Sequence, residues 1–257
     1  MIFALLPVKA PAVAKERLRE IFSSQECEQL ARSMFEEALR TLLAAQGLDR
    51  VVVASSDAQT LRHAAALGAW TLAETSQNGH SSSADWAARK CMEWGATTLL
   101  MVPIDVPLVT TGDIEAVLET ALAMPAPRLV IVPSADGTGT NALVRTPPDL
   151  IESCFGPGSF QGHLAQARAR QAAVEVLRPE GLVFDVDTPE DLARFLARAP
   201  QGPTADLLRS WQMEARLQAV GADPRVRPSP GLRAEGGRRG PPLQKKCKQT
   251  TKSASSP

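Results

Sequence analysis

Histidine and cysteine are scarce in this chain, with three His and four Cys among 257 residues. Cys27, Cys91, Cys154 and Cys247 lie far apart with no C-x-x-C pair. That spacing excludes a zinc site or a disulfide framework and fits a reducing compartment. His63, His80 and His163 fall in no Ser–His–Asp order, so ordinary structural or surface roles are expected for them. No Gly-x-Gly-x-x-Gly or Walker sequence follows the first predicted strand, which argues against a dinucleotide-binding domain and a P-loop enzyme. No apolar run reaches the length of a membrane span. The opening MIFALLPVKA has no basic region before its apolar run and no cleavage site, so it reads as a strand. A cytoplasmic protein with no membrane partner is expected.

The formal net charge is zero but unevenly spread. Residues 221–257 hold nine Lys and Arg against Asp223 and Glu235, an excess of seven positive charges. Residues 1–220 therefore carry an excess of seven negative charges, which does not suit a nucleic-acid surface. Hydrophobic residues make up 44% of the chain, enough for a sizeable core.

Strand and helix patterns alternate. Residues 2–7 and 51–54 read as strands, and 70–72 as a weak one. Between them Ser23 with Glu26 forms a capping box, and Cys27, Leu30, Met34, Ala38 and Leu42 recur at helical spacing. Asp57 caps a short helix, and Trp86 to Trp94 lie on another, after a turn at Asn78-Gly79. Beyond residue 127 the pattern predicts strands at 129–132, 142–145, 174–177 and 182–184. Short helices are predicted at 147–154 and after Ser159, and a last one with Thr188 as N-cap and Pro189 following. Such alternation implies a single-domain α/β fold, a mostly parallel sheet flanked by helices, over residues 1–200. Residues 205–220 allow one extra helix, and from 221 on the composition reads as a disordered basic tail. Everything past Pro200 reads as a passive extension. The oligomeric state stays open, a homodimer included.

The chain is organised around Thr97 to Leu118. Leu99, Leu100, Met101 and Val102 form an apolar run of the kind buried on both faces of a parallel sheet. It delivers Asp105, between Pro103 and Pro107, to the carboxyl end of the strand, where open α/β sheets bind ligands. A second acidic pair, Asp185 and Asp187, comes at a later strand end; two apart on extended chain, they point the same way. Crowded carboxylates call for a cation, and oxygen ligands with few histidines suit Mg2+. Capping of the last helix is the competing role for that pair, though Thr188 already fills it. Lys9, Lys15 and Arg17 follow the first strand, where phosphates are commonly held, with a solvated basic face the alternative for all three and the favoured one for Lys15. Gly137 to Asn141 and Gly156 to Ser159 look like loops offering backbone N–H groups to an anion.

Five segments then occur in one order: Leu6-Pro7-Val8-Lys9 with Ala14-Lys15-Glu16-Arg17-Leu18, Asp105-Val106-Pro107-Leu108, Asp136 to Asn141, Phe155-Gly156-Pro157-Gly158-Ser159-Phe160, and Phe184-Asp185-Val186-Asp187-Thr188-Pro189. Together they resemble the 2-phospho-L-lactate guanylyltransferase family of coenzyme F-420 biosynthesis, over residues 1 to about 198. The resemblance implies a nucleotidyltransferase fold of the glycosyltransferase-A type. It also implies transfer of GMP from GTP to a phosphorylated three-carbon acid, with release of pyrophosphate. On that basis Asp105, Asp185 and Asp187 hold Mg2+ against the acceptor phosphate. Thr140, Gly156 and Ser159 contact that phosphate, and Lys9 and Arg17 face the triphosphate. The sequence departs from the family pattern at Ile104, at Gly79 to Ser83 and at Thr138-Gly139. The acceptor therefore stays open among 2-phospho-L-lactate, phosphoenolpyruvate and 3-phospho-D-glycerate. A sugar-phosphate or molybdenum-cofactor nucleotidyltransferase of the same fold is the rival enzyme, and a non-catalytic nucleotide-binding module the rival outside enzymes.

Overall fold

Strand β1 (Ile2–Val8) is buried almost throughout, and its alternating side chains feed two different cores. Ala4, Leu6 and Val8 face one side of the sheet; Phe3 and Leu5 face the other. This is what an apolar run without polar alternation does when helices cover both faces. In this computed structural model, which describes residues 1–9, 16–74, 80–198 and 200–219, β1 is the third strand of a seven-stranded sheet. The expectations at Lys15, at Asn78-Gly79, at Cys247 and for the tail from residue 221 lie outside the described residues.

The other strands are β2 (Arg50–Ser55), β3 (Trp70–Ala73), β4 (Thr98–Met101), β5 (Arg128–Pro133), β6 (Thr140–Thr146) and β7 (Ala173–Val176). Their order is β3-β2-β1-β4-β6-β5-β7, with only β6 antiparallel to its neighbours. Helices α1 (Ser24–Ala44) and α4 (Thr111–Ala123) pack on the Ala4 and Leu6 face. Helices α3 (His80–Glu93) and α5 (Ser159–Ala169) cover the opposite one. The short α2 (Ala58–Ala66) starts at the Asp57 cap, where the carboxylate accepts the Thr60 N–H. The capping box at Ser23 and Glu26 is present, as is a second at Thr110 and Asp113.

Two predicted elements fold differently. Residues 147–154 form no helix; they leave β6 through Pro147 and Pro148 and continue as an irregular segment. Its backbone donors bond instead to distant side chains: Ser153 N–H to Asp85, Cys154 N–H to His163, Phe155 N–H to Ser81. Residues 182–184 are not a strand. A single helical turn, α6 (Glu180–Val183), follows Pro179, and the chain then runs extended through Asp185 and Asp187. Gly181 allows this turn to press against the loop after β4: a Cβ there would lie 2.5 Å from the Leu108 carbonyl oxygen.

The last predicted helix is α7 (Pro189–Ala197), with Thr188 as N-cap and Asp191 completing a capping box. Beyond it the described residues form two helices rather than one, α8 (Pro203–Ser210) and α9 (Met213–Ala219), broken at Gln212, whose φ is 53°. They do not trail away. Ala205, Leu208, Met213 and Leu217 join a second core with Leu18, Phe22, Leu30, Phe184, Val186 and Phe195. Packing therefore continues past residue 200.

Candidate active site

The sheet order reverses between β1 and β4, since β1 continues to β2 on one side and β4 leads toward β6 on the other. That switch point opens a crevice at the carboxyl ends of the parallel strands. Leu5 pairs with Met101, so Lys9 and Asp105, each four residues further on, leave the sheet on the same side. β6 runs the other way, with Leu143 opposite Met101, and brings its first residues, Thr140 and Asn141, to that same end.

Asp105 lies in a turn after β4, partly buried, anchored by the fully buried Val106 beside it. Its carbonyl accepts the Val186 N–H at 2.9 Å, which lays Asp185-Val186-Asp187 alongside it. Val186 is fully buried in the second core, while Asp185 and Asp187 on either side of it are only partly buried. Burial, chiefly, raises the Asp185 carboxyl above its usual range, and the negative charges of Asp105 and Asp187 push the same way. The Asn141 amide opposes that shift by donating to Asp185 Oδ1 at 3.3 Å. The same amide nitrogen lies 3.0 Å from the carbonyls of Leu182 and Val183, fixing the end of α6. The three predicted aspartates are thus electrostatically coupled. Among the described residues, no three His, Cys, Asp or Glu side chains are gathered as a group that could hold a metal ion by themselves, so the three aspartates share a field without forming a cation site.

Across the crevice, Thr140 and Ser159 are both buried, and Ser159 donates its hydroxyl to Thr140 Oγ1 at 3.1 Å. Ser159 opens α5 after Gly158, whose φ of 81° suits glycine, and no side chain caps this helix start. Gly156 lies in the exposed turn before it, and its carbonyl accepts the Ser159 N–H. Thr140, Gly156 and Ser159 are therefore neighbours. The loop before Thr140 differs from expectation. Gly137, Thr138 and Gly139 N–H donate to Ser134 O, Asp136 Oδ1 and Ser134 Oγ, so this loop braces itself and presents none of these donors to an anion. The Ser134 and Thr138 hydroxyls and the Thr138 N–H hold the Asp136 carboxyl down at about 2.

Lys9 is exposed at the exit of β1. Arg17 is exposed on a 3-10 helix, Glu16–Glu20, whose Leu18 packs in the same core as Phe184 and Val186.

Two residues of this site lay hidden in the sequence. Asn141 ties β6 to Asp185 through its side chain, whereas the sequence placed it only at the end of the Gly137 loop, as a backbone donor. His163 reads as an ordinary helix residue, yet it is fully buried and reaches Thr140. Its spacing of four from Ser159 was the signal, since that places both on one helix face.

Over residues 2–227 the sequence matches the family described as Guanylyl transferase CofC like. The chain belongs to that family. It is 38% identical over 206 residues to the phosphoenolpyruvate guanylyltransferase of Sphaerobacter thermophilus, covering 79% of this chain and 96% of the relative. It is 30% identical to the 2-phospho-L-lactate guanylyltransferase of Methanothermobacter thermautotrophicus, with coverages of 83% and 92%. Identity is also 30% to the 3-phospho-D-glycerate guanylyltransferase of Colwellia psychrerythraea, at 73% and 88%. Among solved structures, a Desulfovibrio desulfuricans G20 protein assigned to the nucleotide-diphospho-sugar transferases superposes with a TM-score of 0.70. It shares 19% identity and covers 85% of this chain and 97% of its own, which establishes the fold. A CofC-like guanylyl transferase is a nucleotidyltransferase, so the non-catalytic module is set aside. The family match also runs past residue 200, in line with the packing of α8 and α9.

Proposed function

We propose that this guanylyltransferase moves GMP from GTP onto the phosphate of a three-carbon acid, in the cytoplasm, as a step toward coenzyme F-420. A phosphate oxygen of the acid attacks the α-phosphorus of GTP. A new P–O–P bond forms, the bond to the β-phosphate oxygen breaks, and pyrophosphate leaves with that electron pair. The attacking oxygen is already ionised, so no general base is needed. What the site must do is hold two anions together and in line. The observation that carries this reading is the meeting, at one switch point, of the coupled carboxylates with the Thr140–Ser159 cluster.

Asp105, Asp185 and Asp187 are the hard oxygen donors that would hold Mg2+, and the upward push on Asp185 from burial and its two neighbours is one a cation relieves. Magnesium usually completes its shell with water and substrate phosphates, so a set left open by the protein suits it. Bound there, the ion supplies charge neutralisation between the two substrates. Thr140 then receives the acceptor phosphate, with the Ser159 hydroxyl behind its oxygen and Gly156 in the adjoining turn. Lys9 and Arg17 offset the triphosphate charge from the β1 side.

The test is an acceptor panel of phosphoenolpyruvate, 2-phospho-L-lactate and 3-phospho-D-glycerate, with GTP and then ATP, reading pyrophosphate. Phosphoenolpyruvate is expected to turn over with GTP, because relatives of that name reach 38% identity against 30% for the other two. Silence with all three acids overturns the reading.

A further inference from the structure

The Thr140 hydroxyl is approached from two sides. Ser159 donates to its oxygen at 3.1 Å, and His163 Nδ1 lies 3.1 Å from the same atom. The far side of the imidazole decides the direction of the second bond. The Cys154 backbone N–H lies 3.0 Å from Nε2, and a backbone N–H can only donate. Nε2 therefore carries the lone pair. The ring is fully buried, and burial together with the nearby Arg145 charge lowers its pKa to about 3, so it is neutral. Its single proton is then on Nδ1 and is donated to Thr140. With two bonds accepted, both lone pairs of Thr140 Oγ1 are used. The remaining capacity of that hydroxyl is its own hydrogen.

We propose that His163 is a positioning residue which, with Ser159, converts the Thr140 hydroxyl into a dedicated donor for an anionic phosphate oxygen of the acceptor. A lone hydroxyl can rotate and offer an anion either its hydrogen or its lone pairs. Thr140 is denied the second choice before the acceptor arrives. It is 8% exposed, against 2% for Ser159 and none for His163, so of the three it is the one most open to a ligand. The same ring holds Cys154, two residues before Gly156, and so ties the side-chain donor to the turn that precedes α5. Preorganised donors of this kind need no rearrangement as substrate charge arrives. The inference rests on the acceptor-phosphate assignment above.

Two amide substitutions divide the functions of the ring. His163→Asn keeps an N–H near the Nδ1 position, and His163→Gln keeps an acceptor near the Nε2 position. Thr140→Val removes the donor altogether. Hydrogen bonds to charged groups are the strong ones, so His163→Gln and Thr140→Val are expected to raise the KM for phosphoenolpyruvate roughly tenfold. The KM for GTP should be largely unmoved, and His163→Asn should recover most of the loss. Calorimetric titration with phosphoenolpyruvate and with inorganic phosphate reads the same order without turnover. Nitrogen-15 shifts of the wild-type imidazole should show an Nδ1–H tautomer, whatever the variants do. An Nε2–H tautomer, or equal binding by wild type and Thr140→Val, overturns the inference and leaves the guanylyltransferase reading standing. Thr140-dependent phosphate binding without pyrophosphate release from any acid does the reverse. No binding of either probe by the wild type overturns both.

Discussion

Asp187 can be tested without disturbing what its backbone does. Its N–H donates to Asp191 Oδ2 at 3.2 Å, a bond that survives any change of side chain. Asp187→Asn should therefore fold as the wild type does, by circular dichroism and melting temperature. If Asp187 helps hold a cation, pyrophosphate release should fall by about 100- to 1,000-fold, the usual cost of losing one electrostatic element of a transition state. Near-normal turnover would remove it from the metal site. His163 makes a different prediction, about pH. Its pKa is about 3 in the fold and near 6.5 when exposed, because burial and Arg145 both disfavour the charged ring. Between those values the unfolded chain binds the extra proton, so stability rises with pH. The contribution is complete above about pH 6.5 and is lost on acidification, at up to about 1.4 kcal/mol for each pH unit. Urea unfolding at pH 7, 6 and 5 should show a shallower acid decline in His163→Gln than in the wild type. Equal slopes would mean that His163 is not buried neutral.

At the level of elements, the close approach of α6 to the loop after β4 is what sets Asp185 beside Asp105. Gly181 makes it possible, since a Cβ there would meet the Leu108 backbone and the Asp113 carboxylate, neither of which yields cheaply. Gly181→Ala is expected to cost about 1–3 kcal/mol as an overpacked contact. It should also lower turnover by more than the stability loss explains, because the Asn141 bonds to Leu182, Val183 and Asp185 shift together. A variant destabilised but fully active at low temperature would show that the approach is structural only. This region also shows what the sequence could and could not reveal. β4 and Asp105 were legible because an apolar run ending in an aspartate between two prolines is a local signal, and so were the capping box at Ser23 and the N-cap at Thr188. Residues 182–184 looked like a strand because Leu182, Val183 and Phe184 are apolar, but Leu182 and Val183 close a turn on the Pro179 carbonyl, and Gly181 within it is pressed against Leu108. Residues 147–154 failed for a non-local reason: Asp85 and His163, both outside the segment, capture the Ser153 and Cys154 backbone donors. The convergence of Asp105 with Asp185 became readable only through an ordered set of motifs. The Val186–Asp105 backbone bond that fastens it, beside the α6 approach, spans 81 residues.

For the whole molecule, the second core decides whether the chain past Pro200 is dispensable. Leu208, Met213 and Leu217 are at most 2% exposed, and they pack with Leu18, Phe184 and Val186. Those last three flank Arg17 and the two aspartates. Arg216 adds an ion pair to Glu26 at 2.6 Å, and the Arg216 guanidinium pulls the Glu26 carboxyl down to about 2. Burying three such side chains stabilises the fold by about 5–8 kcal/mol in all, comparable with the whole stability of many domains. A chain ending at Pro200 is therefore expected to lose cooperative unfolding and pyrophosphate release together. Leu217→Ala in the full chain should lose about 2–5 kcal/mol by the same route while keeping a measurable rate, because the truncated chain and the point variant differ in how much of the core they open. A truncated protein that melts with the wild type would mean that the core under Asp185 and Asp187 stands without α8 and α9, and that the site is held by the sheet alone.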